Sequence, residues 1–223
     1  MDKKLFAQAV GKFSVGVLAV FALVFLPAGT LDWWNGWLLM GLLFVPMFCA
    51  GLVMLAKNPQ LLRKRLQNKE EQTEQKLVIL LSGLMFLGGF VAAGLDRRFG
   101  WSQLPDWLVY LASALFLIAY LLYAQVLREN TYLSRTVEVQ QDQKVIDTGL
   151  YGIVRHPMYS ATILLFLSMP LILGSWPAFV IFLVYPAIIV KRLKNEEQVL
   201  EEGLEGYAEY RKKVVWRLIP FVW

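Results

Sequence analysis

Five stretches of the chain, 13–31, 33–56, 77–95, 107–127 and 157–190, contain no Asp, Glu, Lys or Arg. That spacing leaves few architectures open. A helix rising about 1.5 Å per residue needs roughly 20 residues to cross a hydrocarbon core roughly 30 Å thick. The first four stretches fit one crossing each. The fifth is too long for one and is interrupted by Gly174-Ser175-Trp176-Pro177, a helix-breaking tetrapeptide that predicts a hairpin of two short helices. The expectation is an all-α, polytopic integral membrane protein with about six membrane helices, the last two a short C-terminal hairpin, and a cytoplasmic helix beyond it.

Composition agrees. Hydrophobic residues reach 57% and charged residues only 17%, against roughly 45–50% and 25% in soluble domains, which excludes a soluble globular domain. The net charge of +5 does not indicate nucleic acid, because the basic residues fall between apolar runs and form no single patch. One cysteine, Cys49, and one histidine, His156, exclude an intrachain disulfide and a Cys-based metal cluster; no metal site is expected. If both termini are cytoplasmic, every one of the 22 Lys and Arg except Arg97 and Arg98 falls on the inner side, as the positive-inside rule requires. Trp33, Trp34, Trp37, Trp101, Trp107 and Trp176 then mark the outer boundary.

The N-terminal apolar stretch is long for a signal peptide and no clear small-x-small site follows it, so it reads as a retained first helix. The chain is expected to form a single membrane domain, 1–223, with accessory spans and a loop in 1–75 and the functional core in 76–223. The loop at 57–76 reads as a solvated, partly helical connection. Cys49 is expected to be a packing residue, Glu201, Glu202 and Glu205 a solvated face, and Trp216 and Trp223 headgroup anchors.

The polar residues that remain collect in two segments. In 128–159, alternating β-branched residues and Gln pairs lead to a turn at Asp147-Thr148-Gly149 and then to His156-Pro157. Proline suits the first helical position, so His156 should sit at a helix mouth, where unpaired amides favour an anionic group. The first part of this segment is placed to form a lid over a cavity. In the tail, 191–202 should continue the last span as a helix with Arg192 and Glu196 on one face and Glu197 about 100° round. Leu193, Val199 and Leu200 supply apolar contacts, and Tyr207 and Tyr210 begin a further short helix that ends before Pro220.

Arg155-His156-Pro157-Met158-Tyr159, the Glu196-Glu197 pair, and Tyr207-Ala208-Glu209-Tyr210 followed by Val214 and Pro220 together resemble the isoprenylcysteine carboxyl methyltransferase family. The wider group includes the membrane phospholipid N-methyltransferases. Thr148-Gly149-Leu150-Tyr151 also looks like the family's approach to the His motif. The resemblance covers roughly 127–221; the first two spans carry no motif, and Leu204-Glu205-Gly206 departs from the Phe-Gly of many members.

The resemblance implies methyl transfer from S-adenosyl-L-methionine in a membrane-embedded cavity, and the chain has no G-x-G-x-x-G loop of the soluble nucleotide-binding kind. It implies an adenine slot at Gln140, Gln143, Lys144, Val145, Ile146 and Tyr151, with His156, Pro157, Met158 and Tyr159 lining the amino-acid end. It puts Glu196 against the cofactor ammonium, with Glu197 in support, and Arg192 against the acceptor carboxylate; Arg192, His156 and Glu196 are the expected catalytic residues. The partners would be a lipophilic, prenylcysteine-like carboxylate or a lipid. Such a carboxylate is already ionised near neutral pH and needs orientation, not a general base. Its charge cancels that of the sulfonium in the transition state, which a dry site favours. Three alternatives stay open: a lipid N-methyltransferase in which Glu196, Glu197 or His156 is a base, an NADPH-dependent reductase of the sterol-reductase kind, and a non-catalytic scaffold. Met158 replaces the longer, Asn-containing His motif of the reductases.

Overall fold

The computed structural model describes residues 3–66, 73–133, 137 and 139–223. Among the described residues the helices are α1 (Lys3–Ala28), α2 (Trp34–Lys57), α3 (Pro59–Leu66), α4 (Thr73–Phe99), α5 (Asp106–Glu129), α6 (Pro157–Ile172), α7 (Trp176–Phe182), α8 (Val184–Gly203) and α9 (Tyr207–Lys213), with a 3-10 turn at Gly149–Gly152. There is no strand among the described residues. Helices α1, α2, α4 and α5 and the near-continuous pair α7–α8 are long and apolar enough to cross a membrane, and α6 is a shorter apolar helix. The chain is an all-helical, multi-pass integral membrane protein. In the 57–76 connection, α3 and the start of α4 bear out partial helicity, while 67–72 lies outside the described residues.

The hairpin forms where the tetrapeptide predicts it. Gly174 adopts φ +77°, a left-handed conformation that other residues rarely take. Ser175 Oγ then accepts from Ala178 N at 3.2 Å, capping α7 in the manner serine favours. Helix α6 has 16 residues, giving about 24 Å of rise, short of a full hydrocarbon core.

One end of the bundle is stitched together by polar contacts between helix termini. Asn35 Nδ2 donates to Ile172 O at 2.8 Å, Asp96 accepts from Ser102 N and Oγ, and Ser102 Oγ accepts from Trp176 N at 3.2 Å. Trp34, Trp37, Trp101, Trp107 and Trp176 are exposed around this end. Trp33 differs from the sequence expectation: it is buried against Phe25. The core centres on Phe116, Phe182, Leu39 and Ile172, with Phe182 edge-on to Phe86. A Cβ at Gly94 would lie 2.7 Å from Val24 O, so glycine there allows the close crossing of α1 and α4. Cys49, expected to pack, lies exposed on α2, because its helix face points out of the bundle. Trp223, expected as a headgroup anchor, packs against the core beneath the Arg217 guanidinium.

Candidate functional site

The site is built at the opposite end, where α6 begins and α8 leaves the bundle. Pro157 opens α6 at the first helical position with His156 as its cap. The chain just before it is held by the tail: Arg155 N donates to Trp216 O at 2.8 Å and His156 N to Arg217 O at 2.9 Å. The Arg155 guanidinium also donates to Val214 O and Val215 O, both at 2.8 Å. The amide of His156 is therefore already occupied by the tail.

Glu197 lies beneath this pairing. It accepts from Arg155 Nε at 2.7 Å and from Arg217 Nε at 3.0 Å, and His156 Nε2 lies 3.3 Å from the same carboxylate. Arg155, His156 and Glu197 are all buried. Buried charges persist only where they are paired, and here two guanidiniums and an imidazole surround one carboxylate. The cluster fastens α8 to the mouth of α6 and to the tail.

Glu196, one residue earlier, turns to a different neighbour. Its carboxylate accepts a hydrogen bond from Tyr159 Oη, and that oxygen accepts in turn from Arg192 Nε at 2.9 Å. Tyr159 is buried and stacks on His156 at 5.7 Å between ring centroids. The i,i+4 spacing of Arg192 and Glu196 thus brings a cation and an anion onto one phenol.

The segment between α5 and α6 covers this arrangement. Gln140 Nε2 donates to Tyr132 O at 2.5 Å and Gln140 N to Gln143 Oε1 at 2.9 Å, folding the segment on itself. Asp147 pairs with Lys213 of α9 at 2.8 Å; the hydrogen bond and charge of Lys213 hold its carboxyl below the usual range. Gly149 has φ +58°, and a Cβ there would lie 2.2 Å from Glu129 Oε1. Glycine is required because Glu129 Oε2 accepts from Leu150 N at 2.9 Å. Tyr210 Oη donates to Tyr151 O at 2.8 Å, and Asn130 Nδ2 donates to Tyr151 Oη at 3.0 Å. Burial pushes the phenols of Tyr151, Tyr207 and Tyr210 above their ordinary range, so all three stay neutral at physiological pH.

Between lid, α6, α8 and α9 lies a cavity whose empty space, with the open solvent at its mouth included, is about 870 Å³. Gln143, Lys144, Val145, Ile146, Tyr151, His156, Met158, Tyr159, Arg192 and Glu196 all line it. Gln140, Pro157 and Glu197 are not among its lining residues: Gln140 shapes the lid, Pro157 starts α6, and Glu197 is enclosed by its cations. Arg155, Asn130, Leu133, Val199, Leu200, Tyr207 and Tyr210 also line the cavity. For Arg155 the signal was its place in the His motif, and for Tyr207 and Tyr210 the three-residue spacing. Asn130 and Leu133 carried none.

Residues 107–205 match the phospholipid methyltransferase family. The chain is 30% identical over 91 residues to the "Delta(14)-sterol reductase TM7SF2" of Mus musculus, a stretch covering 40% of this chain and 22% of that protein. It is 32% identical over 83 residues to a Delta(14)-sterol reductase of Arabidopsis thaliana, 36% of this chain and 22% of that one. The chain thus spans about a fifth of the length of these reductases. It is also 22% identical to the "Uncharacterized protein YpbQ" of Bacillus subtilis over 74% of this chain and 96% of that protein. The family match supports a membrane methyltransferase; it runs from the second residue of α5 through the whole of α8 and includes the His motif and the Glu pair.

Proposed function

We propose that this protein is an S-adenosyl-L-methionine-dependent methyltransferase that O-methylates the carboxylate of a prenylcysteine or similarly lipophilic acceptor. Arg192 and Glu196 meeting on the Tyr159 hydroxyl at the cavity wall carry this reading. A cofactor with a cationic amino-acid end needs a carboxylate, and Glu196 lines the cavity while Glu197 is held by Arg155 and Arg217. An adenine needs an apolar slot, and Val145, Ile146 and Leu133 supply one. When bound, the cofactor supplies a methyl group on a positively charged sulfur. Arg192 orients the acceptor carboxylate, Tyr159 sets the spacing between that guanidinium and Glu196, and the lid excludes water so that opposite charges attract strongly.

The similarity to sterol reductases favours a second reading, an NADPH-dependent reductase. The wall carries Lys144, Arg155 and Arg192 beside Glu196, so it holds cations of the kind a dinucleotide's phosphates need, and assays separate the two readings. A lipid N-methyltransferase would use Glu196 to accept a proton from the acceptor amine. Purified protein incubated with radiolabelled S-adenosyl-L-methionine and either N-acetyl-farnesylcysteine or phosphatidylethanolamine separates these readings. Label in the farnesylcysteine ester supports the proposal; label in the amine lipid replaces it; label in neither, with NADPH oxidised by a sterol, favours the reductase.

We further propose that both termini and the cavity mouth are cytoplasmic, since every Lys and Arg but Arg97 and Arg98 falls in sequence segments that the positive-inside rule then puts on that side. Reporter fusions at Met1 and Trp223 should both report the cytoplasm.

A further inference from the structure

Among the described residues, buried tyrosine hydroxyls have partners, with one exception. Tyr210 Oη donates to Tyr151 O at 2.8 Å, Tyr151 Oη accepts from Asn130 Nδ2 at 3.0 Å, and Tyr185 Oη donates to Thr162 Oγ1 at 3.2 Å. Tyr159 Oη sits between Glu196 and Arg192. Tyr207, three residues before Tyr210 on α9, is 4% exposed, and its buried hydroxyl has no hydrogen-bond partner among the described residues. An enclosed phenol normally finds one. Gln75 Oε1 is also unpartnered, but that side chain already donates to Asn195 Oδ1 at 2.6 Å and does not line the cavity. Tyr207 does line it.

Local structure holds the ring in place. Gly206, at φ +83°, turns the chain from α8 into α9, and Tyr207 packs with Leu204, Tyr210 and Val214. Burial keeps the hydroxyl protonated; the charges of Glu197 and Glu196 act the same way, and that of Arg155 acts against them. Tyr207 is therefore a neutral donor within reach of those three charges. Glu197 already accepts from Arg155 and Arg217, and Glu196 from Tyr159. The mouth of α6 has few donors to spare: His156 N is bonded to Arg217 O, Pro157 has no N–H, and Tyr159 N and Ser160 N turn back to His156 O.

We infer that Tyr207 Oη donates a hydrogen bond to the carboxylate of S-adenosyl-L-methionine, next to the ammonium assigned to Glu196. The inference rests on the methyl-transfer reading and adds a cofactor-binding residue to it. The two charged groups of the ligand share one carbon, so a group that receives the ammonium needs a donor close by for the carboxylate. Tyr207 has a hydroxyl uncommitted to the protein and lines the same cavity as Glu196.

Decarboxylated S-adenosyl-L-methionine keeps the ammonium and the sulfonium but lacks the carboxylate, so it isolates the contact. Binding of both ligands to the full chain in detergent is measured by calorimetric titration, beside thermal unfolding of the ligand-free protein. Tyr207→Phe keeps the ring and removes only the oxygen, so it should not lower the unfolding temperature. Tyr210→Phe, which loses the bond to Tyr151 O, should lower it. Tyr207→Phe should weaken S-adenosyl-L-methionine about tenfold, the loss that follows removal of a hydrogen bond to a charged group, and leave the decarboxylated ligand within about twofold. A lowered unfolding temperature for Tyr207→Phe would mean that the hydroxyl serves the fold. Equal weakening of both ligands would move the contact to another part of the cofactor, and unchanged affinity for both would remove it. Each of these overturns the inference and leaves the methyl-transfer reading standing, whereas a parent that binds neither ligand would overturn both.

Discussion

Arg155 and Glu197, 42 residues apart in sequence, form an ion pair of 2.7 Å with 4% and 6% of their side chains exposed. A pair so enclosed is costly to break from one side, because the surviving charge stays buried. Glu197→Gln leaves Arg155 and Arg217 without their carboxylate and should destabilise the protein by about 3–5 kcal/mol. Thermal unfolding in detergent reads this directly. A shift of the size expected for a surface substitution would mean that the cluster is not structural.

Glu196 should behave differently. If it receives the cofactor ammonium, Glu196→Gln should weaken binding of S-adenosyl-L-methionine by tenfold or more while the fold stays intact, on the order of the loss when a charged hydrogen-bond partner is removed. Glu201→Gln alters only an exposed pair with Arg211 and should leave affinity within about twofold, as surface ion pairs contribute little. Calorimetric titration of both variants decides it; equal effects would remove Glu196 from the cofactor site.

Arg192 is assigned to the acceptor. Arg192→Lys keeps the charge but loses the planar fork that fits a carboxylate, so activity should fall about tenfold or more while cofactor affinity stays within a few-fold. Arg192→Ala should lower activity further, again with cofactor retained. Full activity of Arg192→Ala on carboxylate acceptors would defeat the assignment and favour an amine acceptor.

The lid carries its own titration. Lys213 lowers the Asp147 pKa, first by hydrogen bonding and then by charge. A carboxyl depressed in the folded state contributes stability above its unfolded pKa and loses that contribution as pH falls through the folded value. The pairing should hold through neutral pH and fade below about pH 4. Limited proteolysis of 137–148 should therefore be unchanged between pH 6 and 8. Lys213→Gln should raise cleavage at pH 7, and added salt should do the same to the parent, since both groups are exposed and screened. Cleavage of the parent that ignores salt would refute the latch.

The spans were legible because burying a charge in hydrocarbon is so unfavourable that charge-free runs mark them directly. The hairpin was legible for a local reason, since Gly174, Ser175 and Pro177 suit a turn and a helix start wherever they occur. Arg192 and Glu196 could be placed on one face from helical spacing alone. The separate roles of Glu196 and Glu197 could not, because Glu197 takes its partners from Arg155 and Arg217, which only tertiary folding brings together. Trp33 and Trp223 were misread as interfacial for a similar reason: tryptophan suits both the headgroup region and a packed core, and the choice rests on Phe25 and Arg217. Gln140 had the chemistry of a binding residue, but its side chain serves the lid backbone.

The pairing of Arg155 and His156 with Trp216 and Arg217 also sets an order of assembly. During synthesis, every membrane segment through α8 leaves the ribosome before residues 214–217 do. A nascent chain can thus be fully inserted while the mouth of α6 still lacks the strand-like tail that holds it and the second arginine of the Glu197 cluster. A chain interrupted after α9 would lack the backbone partners of Arg155 and His156 and one of the two guanidiniums on Glu197, so the mouth of α6 would be held by fewer contacts than in the full chain.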